Sequence, residues 1–520
     1  MQRTIGCTGK LGDIGRSHKM DTAGVKEMPA DHAGNWGIAM QLGRIADGVE
    51  MSGRMKDMEI TGLAYYIREV EKGCLFCCPA KDRAMKRAAM AVAKGAKILL
   101  CEKRMPLPVH QIIVPDALSA MKRLCVNYLS ILDRELTVIG VTGTNGKTTT
   151  TYMIKSVLEA NGISTGLIGT VECLAGDEKL GATITTPFPS RLIKLFSHMI
   201  EKGCRTVVME CSSEGLAEDR MDGIHFSVGV FTNLTQDHLD YHGTMEKYAS
   251  DKRKLFAQCK AAVFNADSDY TPFMREGFSG TVLTYGIRQN ADVKAVDIRY
   301  AADRSEFVLN SQGNSFPAAI EIPGAFNVYN ALACFSACSL LGMKAEDIIK
   351  GMHAIRTVPG RIERIPTPGQ PFTVVLDYAH TPDGLENILH ALRDITKGRI
   401  ITVFGCGGKR DRTKRPVMGE TAGRLSDYCF VTSDNPRTEK PMDIIQDILP
   451  GLKKSGCAFE VEPDRRTAIE KAVRFAGAGD TVLLAGKGHE QFQEIQGVKR
   501  PFDEHEIVRE TLEKMQRKAE

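Results

Sequence analysis

The stretch Gly140-Val141-Thr142-Gly143-Thr144-Asn145-Gly146-Lys147-Thr148-Thr149 decides the fold of this chain. The apolar run TVIGVTG is typical of a buried strand, and TTTTYMIKSVLEANG predicts a helix that ends at Gly162. Glycines between a strand and a helix let backbone N–H groups turn toward phosphates, and the helix N-terminus adds its dipole. We therefore expect a phosphate-binding loop, in which Lys147 reaches the terminal phosphates and Thr148 can ligate Mg²⁺. The strict GxxxxGK[ST] spacing fails, because Val141 takes the first glycine position.

Strands and helices alternate on both sides of this loop. TVVMECSS and VGVFTNL predict further strands, and ALACFSACSLLGM predicts a helix. The sequence VPGRIERI then interrupts the pattern, and a second series follows with the strands FTVVLDYA, RIITVFGCGG, DYCFVTSD and DTVLLAGKG. Such alternation predicts an α/β protein with parallel, doubly wound sheets and a domain boundary near residue 358.

The chain is too long for one core, and we predict three domains after an N-terminal extension. The small N-terminal α/β domain, with strands LFCC and KILLCE and helix ALSAMKRLCVNYLSIL, covers residues 57–134. The central domain covers 135–357 and the C-terminal domain 358–520. Residues 1–56 show no sustained period, so we predict a flexible extension. One alternative is a small folded domain. The other is that translation is read from a start upstream of the true one, and Met51, Met55 and Met58 are then the candidates for the true start.

Composition gives no support for a nucleic-acid or membrane partner. The net charge is only +4, and no apolar run approaches the roughly 20 residues that span a bilayer. No basic segment followed by an apolar run marks a signal peptide. Cys74, Cys77 and Cys78 are the only close cysteines, and they lack zinc-site spacing. Because buried free thiols fit a reducing compartment, we predict a cytoplasmic protein. We also expect a monomer.

Two polar residues follow predicted strands near the phosphate loop. Glu210 closes VVMECSS, and a carboxylate at the C-terminal end of a strand suits a Mg²⁺ ligand. His238 follows VGVFTNL. Read alone, Glu210 is equally well a surface residue and His238 a structural histidine.

A series of strings resembles the Mur ligase and folylpolyglutamate synthetase superfamily. GTNGKTTT is similar to its phosphate loop, and the resemblance is greatest to the UDP-N-acetylmuramoyl-tripeptide synthetase branch (MurE). The matching strings lie in order between about residues 140 and 490: MECSS, FTNLTQDHLDYHGTMEKYASDKRKLF, GAFNVYNALA, VPGRIER, LDYAHTPDGLENIL, VFGCGGKRD, SDNPRTE and GKGHE.

The resemblance implies a three-domain ligase with a central phosphate-loop ATPase domain and a Rossmann-like C-terminal domain. It implies ATP and Mg²⁺ as cofactors and an acyl-phosphate intermediate. The implied catalytic residues are Lys147, Glu210, His238 and Lys252, and the metal ligands are Thr148, Glu210, His238 and Lys252. The implied ATP-binding residues are Gly143, Thr144, Asn145, Gly146, Lys147, Thr148, Thr149, Asn327, Asn330, Arg361, Asp377 and His380.

Lys252 has two interpretations. From KYASDKRKLF alone it lies on a solvated helix face. In the related ligases the lysine of YxxxKxxLF is carbamylated, and Tyr248 to Phe256 fits that spacing. A carbamate turns a cation into a carboxylate-like oxygen donor. Asn327 likewise has a plainer interpretation, as the cap of the helix that follows it.

The resemblance also implies small-molecule substrates: a UDP-linked muramoyl dipeptide and a diamino acid. DNPR at 434–437 is similar to the form found in enzymes that add meso-diaminopimelate, where the arginine pairs with the distal carboxylate. A solvated loop arginine is the alternative for Arg437. The implied substrate-binding residues are Thr185, Thr186, Ser212 and Arg220 for the acceptor, and Arg410, Asp434, Asn435, Arg437, Gly486 and Glu490 for the amino acid.

Several positions depart from the family pattern. Tyr66-Ile67-Arg68 replaces Asp-Ser-Arg, and the Gly-His-Phe-containing loop that usually follows is replaced by PAKDRAMK. Glu214 stands for a histidine, Glu218 for a glutamine and Lys409 for an acidic residue. These changes leave three alternatives open: a paralogue with a different acceptor, a folylpolyglutamate-type ligase, and a non-catalytic nucleotide-binding regulator. DNPR and GKGHE argue against the second, and intact Lys147, Glu210, His238 and Lys252 against the third.

Overall fold

A computed structural model of the 520-residue chain describes residues 38–181, 184–301, 303–355 and 357–519. The predicted α/β fold with parallel, doubly wound sheets is confirmed. Within these residues, no helix is long and apolar enough to cross a membrane. The boundaries predicted at 134/135 and 357/358 remain a proposal.

The N-terminal region is built on a four-stranded parallel sheet of order β3-β4-β5-β6. The strands within LFCC and KILLCE and the whole of helix ALSAMKRLCVNYLSIL lie where the sequence predicted them. Strand β6 was not predicted, because only one of its four residues is buried and it has no clear period. The elements are β1 (Met40–Gln41), α1 (Leu42–Ile45), α2 (Gly53–Lys56), β2 (Glu59–Ile60), β3 (Leu63–Ala64), β4 (Leu75–Cys78), α3 (Ala84–Ala93), β5 (Ile98–Cys101), β6 (His110–Ile113) and α4 (Ala117–Leu132).

The prediction of a flexible extension is wrong for residues 38–56. Strand β1 pairs with β2, and Leu42 and Ile45 of α1 are fully buried in the core against α4. Asn127 of α4 donates hydrogen bonds to the carbonyls of Ile45 and Asp47, both at 2.8 Å. These apolar residues are too few and too irregularly spaced to show a period, although each is buried. Residues 1–37 of the predicted extension lie outside the described residues.

The central region holds an eleven-stranded sheet of order β10-β9-β8-β11-β7-β12-β13-β14-β15-β16-β17. Strand β7, which leads into the phosphate loop, lies between β11 and β12 and is parallel to both. Helices α5 and α11 pack their apolar residues on one face of β7. The elements are β7 (Thr137–Thr142), α5 (Lys147–Ala160), β8 (Thr165–Ile168), β9 (Cys173–Ala175), β10 (Glu178–Lys179), α6 (Pro189–Glu201), β11 (Thr206–Glu210), α7 (Ser213–Ala217), β12 (Phe226–Phe231), α8 (Leu239–His242), α9 (Met245–Arg253), β13 (Cys259–Asn265), α10 (Thr271–Arg275), β14 (Thr281–Gly286), β15 (Val293–Tyr300), β16 (Ser305–Ser311), β17 (Asn314–Ile320), α11 (Ala325–Leu340) and α12 (Ala345–Met352).

The C-terminal region holds a six-stranded sheet of order β18-β19-β23-β20-β21-β22, parallel except for β18. All four strands predicted for this second series are present. The carboxyl ends of its central strands carry the loops that face the central region. The elements are β18 (Glu363–Ile365), β19 (Thr373–Asp377), α13 (Pro382–Arg393), β20 (Ile400–Phe404), α14 (Lys414–Leu425), β21 (Tyr428–Val431), α15 (Pro441–Ser455), β22 (Ala458–Val461), α16 (Arg465–Phe475), β23 (Thr481–Ala485), β24 (Phe492–Ile495), β25 (Val498–Pro501) and α17 (Glu504–Ala519).

Candidate functional site

The phosphate loop lies between β7 and α5, and two of its positions accept only glycine. Gly143 has φ +150°, and a Cβ there would lie 1.9 Å from Thr232 Oγ1. Gly146 has φ +87°, and a Cβ there would lie 2.5 Å from Asn330 Oδ1. Helix α5 begins at Lys147, so its N-terminal N–H groups face the loop. The predicted strand-loop-helix arrangement is confirmed.

Two lysines converge on this loop. Lys147 Nζ and Lys252 Nζ each donate a hydrogen bond to the carbonyl of Gly143 at 2.8 Å, and Lys147 also donates to the carbonyl of Thr144. Burial lowers the pKa of both ammonium groups, and for Lys252 the positive charge of Lys147 lowers it further. Lys252 is only 1% exposed, so the interpretation of a solvated helix face is wrong.

Glu210 is buried at the end of β11 and is held by three donors. Its Oε1 accepts from Thr148 Oγ1 and from the N–H of Thr170, both at 3.0 Å. Its Oε2 accepts from Thr170 Oγ1 at 3.1 Å. The carboxylate and the first hydroxyl of α5 are therefore adjacent, as the sequence predicted for a pair of oxygen donors.

His238 lies beside Asp237, with Nε2 at 3.4 Å from its carboxylate, and 3.7 Å from Glu214 through Nδ1. Burial lowers the pKa of His238 to about 3, so the ring is neutral and its nitrogens can act as ligands. In the described part of the chain, no group of three His, Cys, Asp or Glu side chains could hold a metal by itself. The Thr148–Glu210 pair fits Mg²⁺, which takes one or two protein oxygens and completes its shell with phosphate and water.

Two cavities meet at the phosphate loop. The larger, of about 670 Å³, lies over the loop and α11. The smaller, of about 290 Å³, lies beyond it. Both are lined by Asn145, Gly146, Thr148, Arg361, Tyr378 and His380. The larger cavity also contains Thr149, Asn330 and Asp377, and the smaller also contains Thr144, Lys147, Thr185, Thr186, Glu210, Ser212, Arg220, His238, Lys252 and Arg410.

Arg361 enters this junction from the C-terminal region. Its Nη2 donates to Thr148 Oγ1 at 3.1 Å, and its guanidinium lies 4.8 Å from the centre of the Tyr378 ring. Its Nε is buried without a hydrogen-bond partner among the described residues. A fixed positive charge is thus placed beside the Thr148–Glu210 pair.

Asp377 and His380 support this junction from the end of β19. Asp377 accepts from the N–H groups of Ile362 and Ala379, at 2.8 and 2.7 Å, so it fixes the backbone next to Arg361. Burial raises the pKa of Asp377. His380 Nε2 lies 3.7 Å from the carboxylate of Asp237, and burial lowers the pKa of His380 to about 4.

The two asparagines that the resemblance implies for ATP binding differ in position. Asn330 lines the larger cavity, and its Nδ2 donates to Asn327 Oδ1 at 3.2 Å. Asn327 donates to the carbonyl of Pro323 and is not among the lining residues. Helix α11 is capped by Gly324, so the interpretation of Asn327 as the helix cap is wrong.

Three of the four residues predicted for the acceptor are joined by hydrogen bonds, and the fourth, Thr185, contacts Thr170. Thr186 Oγ1 accepts from the N–H of Ser212 at 2.8 Å, and the carbonyl of Thr186 accepts from Arg220 Nη1 at 2.9 Å. Thr185 Oγ1 lies 2.9 Å from Thr170 Oγ1. Glu218 Oε2 accepts from Nε and Nη2 of Arg220, at 3.0 and 2.8 Å. This arginine therefore already holds one carboxylate of the chain.

A second polar cluster lies at the ends of β21 and β23. Asn435 Nδ2 donates to Glu490 Oε2 at 2.7 Å, and the N–H of Gly486 donates to the carbonyl of Asp377 at 2.9 Å. Arg437 has φ +52° and donates from Nη1 to the carbonyl of Gly408 at 2.7 Å. Arg437 is only a quarter exposed, so the interpretation of a solvated loop arginine is wrong.

Arg410 is less constrained than this cluster. Its side chain is 46% exposed, and its Nη1 lies 3.8 Å from Asp240. Of the residues predicted to bind the incoming amino acid, Arg410 lines the smaller cavity. Asp434 is buried, with Oδ1 accepting from the N–H of Asn435 at 2.7 Å.

Comparison with known proteins gives this arrangement a family. Residues 141–338 match the Mur ligase middle domain, and residues 360–488 match the Mur ligase glutamate ligase domain. The chain is 43% identical over 461 residues to UDP-N-acetylmuramoyl-L-alanyl-D-glutamate--2,6-diaminopimelate ligase of Caldanaerobacter subterraneus subsp. tengcongensis, a match that covers 88% of this chain and 95% of that protein. This chain belongs to the Mur ligase family. The predicted resemblance is confirmed.

Two further relatives of this Mur ligase carry the same description as the first. Ligase 1 of the same description from Clostridium acetobutylicum is 43% identical over 464 residues, covering 88% of this chain and 96% of that protein. A solved structure of a UDP-N-acetylmuramoyl-L-alanyl-D-glutamate--2,6-diaminopimelate ligase has 32% identity and a TM-score of 0.62, and the match covers 92% of this chain and 100% of that one.

Sequence reasoning missed three polar residues that hold the site of this Mur ligase together. Lys414 donates to Asp237 at 3.2 Å, and Asp383 accepts from Asn145 at 2.6 Å, both across the junction of the two regions. Lys487 is fully buried beside Glu490. Each of the three lies within or next to a quoted motif. They were missed because charged residues in such stretches, such as a lysine between glycines, are usually solvated.

Proposed function

We propose that this Mur ligase uses ATP and Mg²⁺ to add meso-diaminopimelate to UDP-N-acetylmuramoyl-L-alanyl-D-glutamate, a step of peptidoglycan precursor synthesis. The observation that carries the proposal is the meeting of the two cavities at Thr148 and Arg361, beside Lys147 and Glu210 of the smaller cavity. A nucleotide in the larger cavity would place its terminal phosphate where an acceptor carboxylate in the smaller cavity could reach it. The names of the relatives supply the substrate classes.

The larger cavity is the proposed ATP site. The N–H groups at the start of α5 and the Lys147 ammonium would hold the phosphates. Asn330 would meet the adenine, and Asn327 would orient the amide of Asn330 through their hydrogen bond. The other proposed contacts are Gly143, Thr144, Asn145, Gly146, Thr149, Arg361, Asp377 and His380.

Thr148 and Glu210 would hold Mg²⁺, with His238 and a carbamate on Lys252 as further ligands. When bound, Mg²⁺ neutralises phosphoryl charge. The lowered pKa of Lys252 supports the carbamate, because only a neutral amine attacks carbon dioxide. The carbamate would also replace one of two like charges that share the carbonyl of Gly143.

The proposed reaction has two steps. The γ-phosphoryl group passes to the acceptor carboxylate, and Lys147 and Arg361 neutralise the charge on the transferring oxygens. The amine of the incoming amino acid then attacks the acyl carbon and expels phosphate. Burial of both cationic groups strengthens their interaction with that charge, because little water competes with it.

The acceptor would lie along Thr185, Thr186, Ser212 and Arg220. Glu218 takes Nε and Nη2 of Arg220 and the carbonyl of Thr186 takes Nη1, so only the second proton of each Nη group remains for an acceptor carboxylate. Glu218 partly neutralises this arginine, and this favours, as a second candidate function, a Mur ligase whose acceptor carries less negative charge at this point. A product assay with the UDP-linked dipeptide separates the two.

The incoming amino acid would be held by the second polar cluster. Arg437 would pair with the distal carboxylate and Glu490 with the distal ammonium, while Arg410 reaches into the smaller cavity. Asp434, Asn435 and Gly486 would shape this end. We place the enzyme in the cytoplasm as a monomer, and the described cysteines, which are all free thiols, support the first point.

Acceptor-dependent release of phosphate tests whether the chain is an enzyme or a nucleotide-binding regulator. Wild-type protein with ATP, Mg²⁺ and diaminopimelate should release phosphate only when the UDP-linked dipeptide is added. Lys147→Ala should remove this release and keep the folded far-UV signal, because the side chain contacts only the loop. Acceptor-independent release, or full activity of Lys147→Ala, would refute the proposed site.

A further inference from the structure

Lys487 is a buried positive charge that has no role in the proposed reaction steps. It follows β23 and is 0% exposed, with the rings of Phe492 and Phe502 at 5.6 and 5.9 Å from Nζ. Its Nζ donates to Glu490 Oε2 at 2.9 Å and to Asn435 Oδ1 at 3.2 Å. A lysine is rarely buried unless it is paired, so these two partners account for its position.

Both acceptor positions and one of the two amide protons of the Asn435 side chain are used within the protein. Its Oδ1 accepts from Lys487 and from the N–H of Glu494, at 3.2 and 2.9 Å, and its Nδ2 donates to Glu490 at 2.7 Å. The lysine therefore fixes which way the amide faces, since its ammonium can only donate. Asn435 supports Glu490 and has little capacity left for a ligand.

Glu490 is held on one side only. Lys487 and Asn435 both donate to its Oε2, and the side chain is 18% exposed. Its Oε1 is thus the oxygen that faces outward from the cluster. A carboxylate fixed in this way presents one negatively charged acceptor in a defined direction, which suits a substituted ammonium group.

The positive charge of Lys487 also acts on a second carboxylate, that of Asp434. Asp434 Oδ2 is buried without a hydrogen-bond partner among the described residues. Burial alone would raise the pKa of Asp434, but the charges of Lys487 and Arg465 outweigh burial and lower it. One buried ammonium thus holds Glu490 by a hydrogen bond and favours the charged form of Asp434.

We infer that Lys487 is a positioning residue of the amino-acid site, which holds Glu490 so that Oε1 receives the distal ammonium of the incoming diamino acid. The inference rests on the proposed function, because it assigns that ammonium to Glu490. Lys487 itself touches no substrate in this account. It acts through Glu490 and Asn435.

A four-protein comparison tests this inference: wild type, Lys487→Met, Glu490→Gln and the double variant. We expect each single variant to lower kcat/KM for diaminopimelate by about 100-fold, mainly through KM, with KM for ATP unchanged. Because Lys487 acts through Glu490, the double variant should be no worse than Glu490→Gln. Lys471→Met is the matched control, since Lys471 also bridges two carboxylates, at 2.7 Å each, but is 42% exposed.

Multiplying effects in the double variant, or an unchanged KM for diaminopimelate in Lys487→Met, would overturn the inference. If Lys487→Met does not fold, the double variant still decides, because it removes both charges together. Equal kcat/KM in the double variant and Glu490→Gln supports the inference, and a further loss of about 10-fold or more contradicts it. If wild type forms product only with another amino acid, the proposed substrate fails, and the same comparison with that amino acid decides on Lys487.

Discussion

At the scale of single residues, the site is defined by charges that are buried and closely shared. Lys147 and Lys252 donate to the same carbonyl, and Arg361 lies beside Thr148. Three cationic groups around one loop repel each other unless an anion is present. The arrangement therefore favours an anion at this loop, which fits the proposed nucleotide phosphate and the proposed carbamate on Lys252.

Lys252→Ala should lose at least about 100-fold in turnover, because it removes the oxygen donor that the carbamate would supply. Added formate or acetate should restore part of the activity by replacing those oxygens. The check is turnover with and without the added carboxylate, together with a ¹³C carbamate signal from wild type in labelled bicarbonate. Lys247→Ala, at a lysine that is 57% exposed on the same helix, is the control. Full activity of Lys252→Ala would rule out the carbamate.

Arg437→Ala should lose selectivity for diaminopimelate over lysine. The two amino acids differ by one distal carboxylate, and lysine lacks the group that would pair with the remaining donors of Arg437. We expect the ratio of the kcat/KM values to fall by about 100-fold, with ATP binding unchanged. Arg412→Ala, at an arginine that is 66% exposed, should keep the wild-type ratio. An unchanged ratio in Arg437→Ala would remove this arginine from the amino-acid site.

Motifs predicted most of these residues, but not how they are used. The positions of Lys147 and Glu210 follow from strand ends, and that of Lys252 only from the resemblance to the related ligases. The burial of Lys487 does not, because its partners Asn435 and Glu490 lie on other segments and meet it only in the fold. Lone polar residues carry no periodic signal, so sequence reasoning alone does not show which of them are enclosed.

At the scale of elements, strong periodicity was predictive and weak periodicity was not. Helix α4 and the buried strand β7 lie where their apolar patterns placed them. The helices α1 and α2 were not predicted, because four-residue segments are too short to show a period of 3.6. Strand β6 was not predicted, because only one of its four residues is buried. Their stability comes from tertiary packing.

The packing of α1 gives a direct test. Leu42→Ala should lower the free energy of unfolding by about 2–5 kcal/mol, because Leu42 is fully buried in the core with α4. Arg44→Ala, at an exposed position of the same helix, should change it by less than about 0.5 kcal/mol. Urea unfolding of both variants is the measurement. Equal stability of Leu42→Ala and wild type would instead support the prediction that this segment is a flexible extension.

At the scale of the whole molecule, the reaction pocket forms only where the central and C-terminal regions meet. Asp237 and Lys414 lie 177 positions apart and form an ion pair at 3.2 Å, with both side chains less than a tenth exposed. Asn145 and Asp383 form a second contact across the same junction. The two regions are thus joined here by buried polar contacts, and in the proposed function these contacts bring together substrates held by different regions.

Lys414→Met should leave Asp237 buried without its partner and weaken this junction. We expect kcat/KM to fall by about 10- to 100-fold, with the affinity for ATP unchanged, and small-angle scattering to show a larger radius of gyration. The double variant Lys414→Met with Asp237→Asn should recover part of the loss. No coupling between the two substitutions would mean that the pair does not hold the regions together.

The central claim is that this Mur ligase adds diaminopimelate to the UDP-linked muramoyl dipeptide. The most direct measurement is the mass of the product formed from that dipeptide, ATP and Mg²⁺ with equal amounts of meso-diaminopimelate and lysine. We expect the diaminopimelate adduct in excess of the lysine adduct by about 100-fold or more. Equal amounts of the two adducts, or no adduct of this dipeptide while ATP is still bound, would contradict the claim.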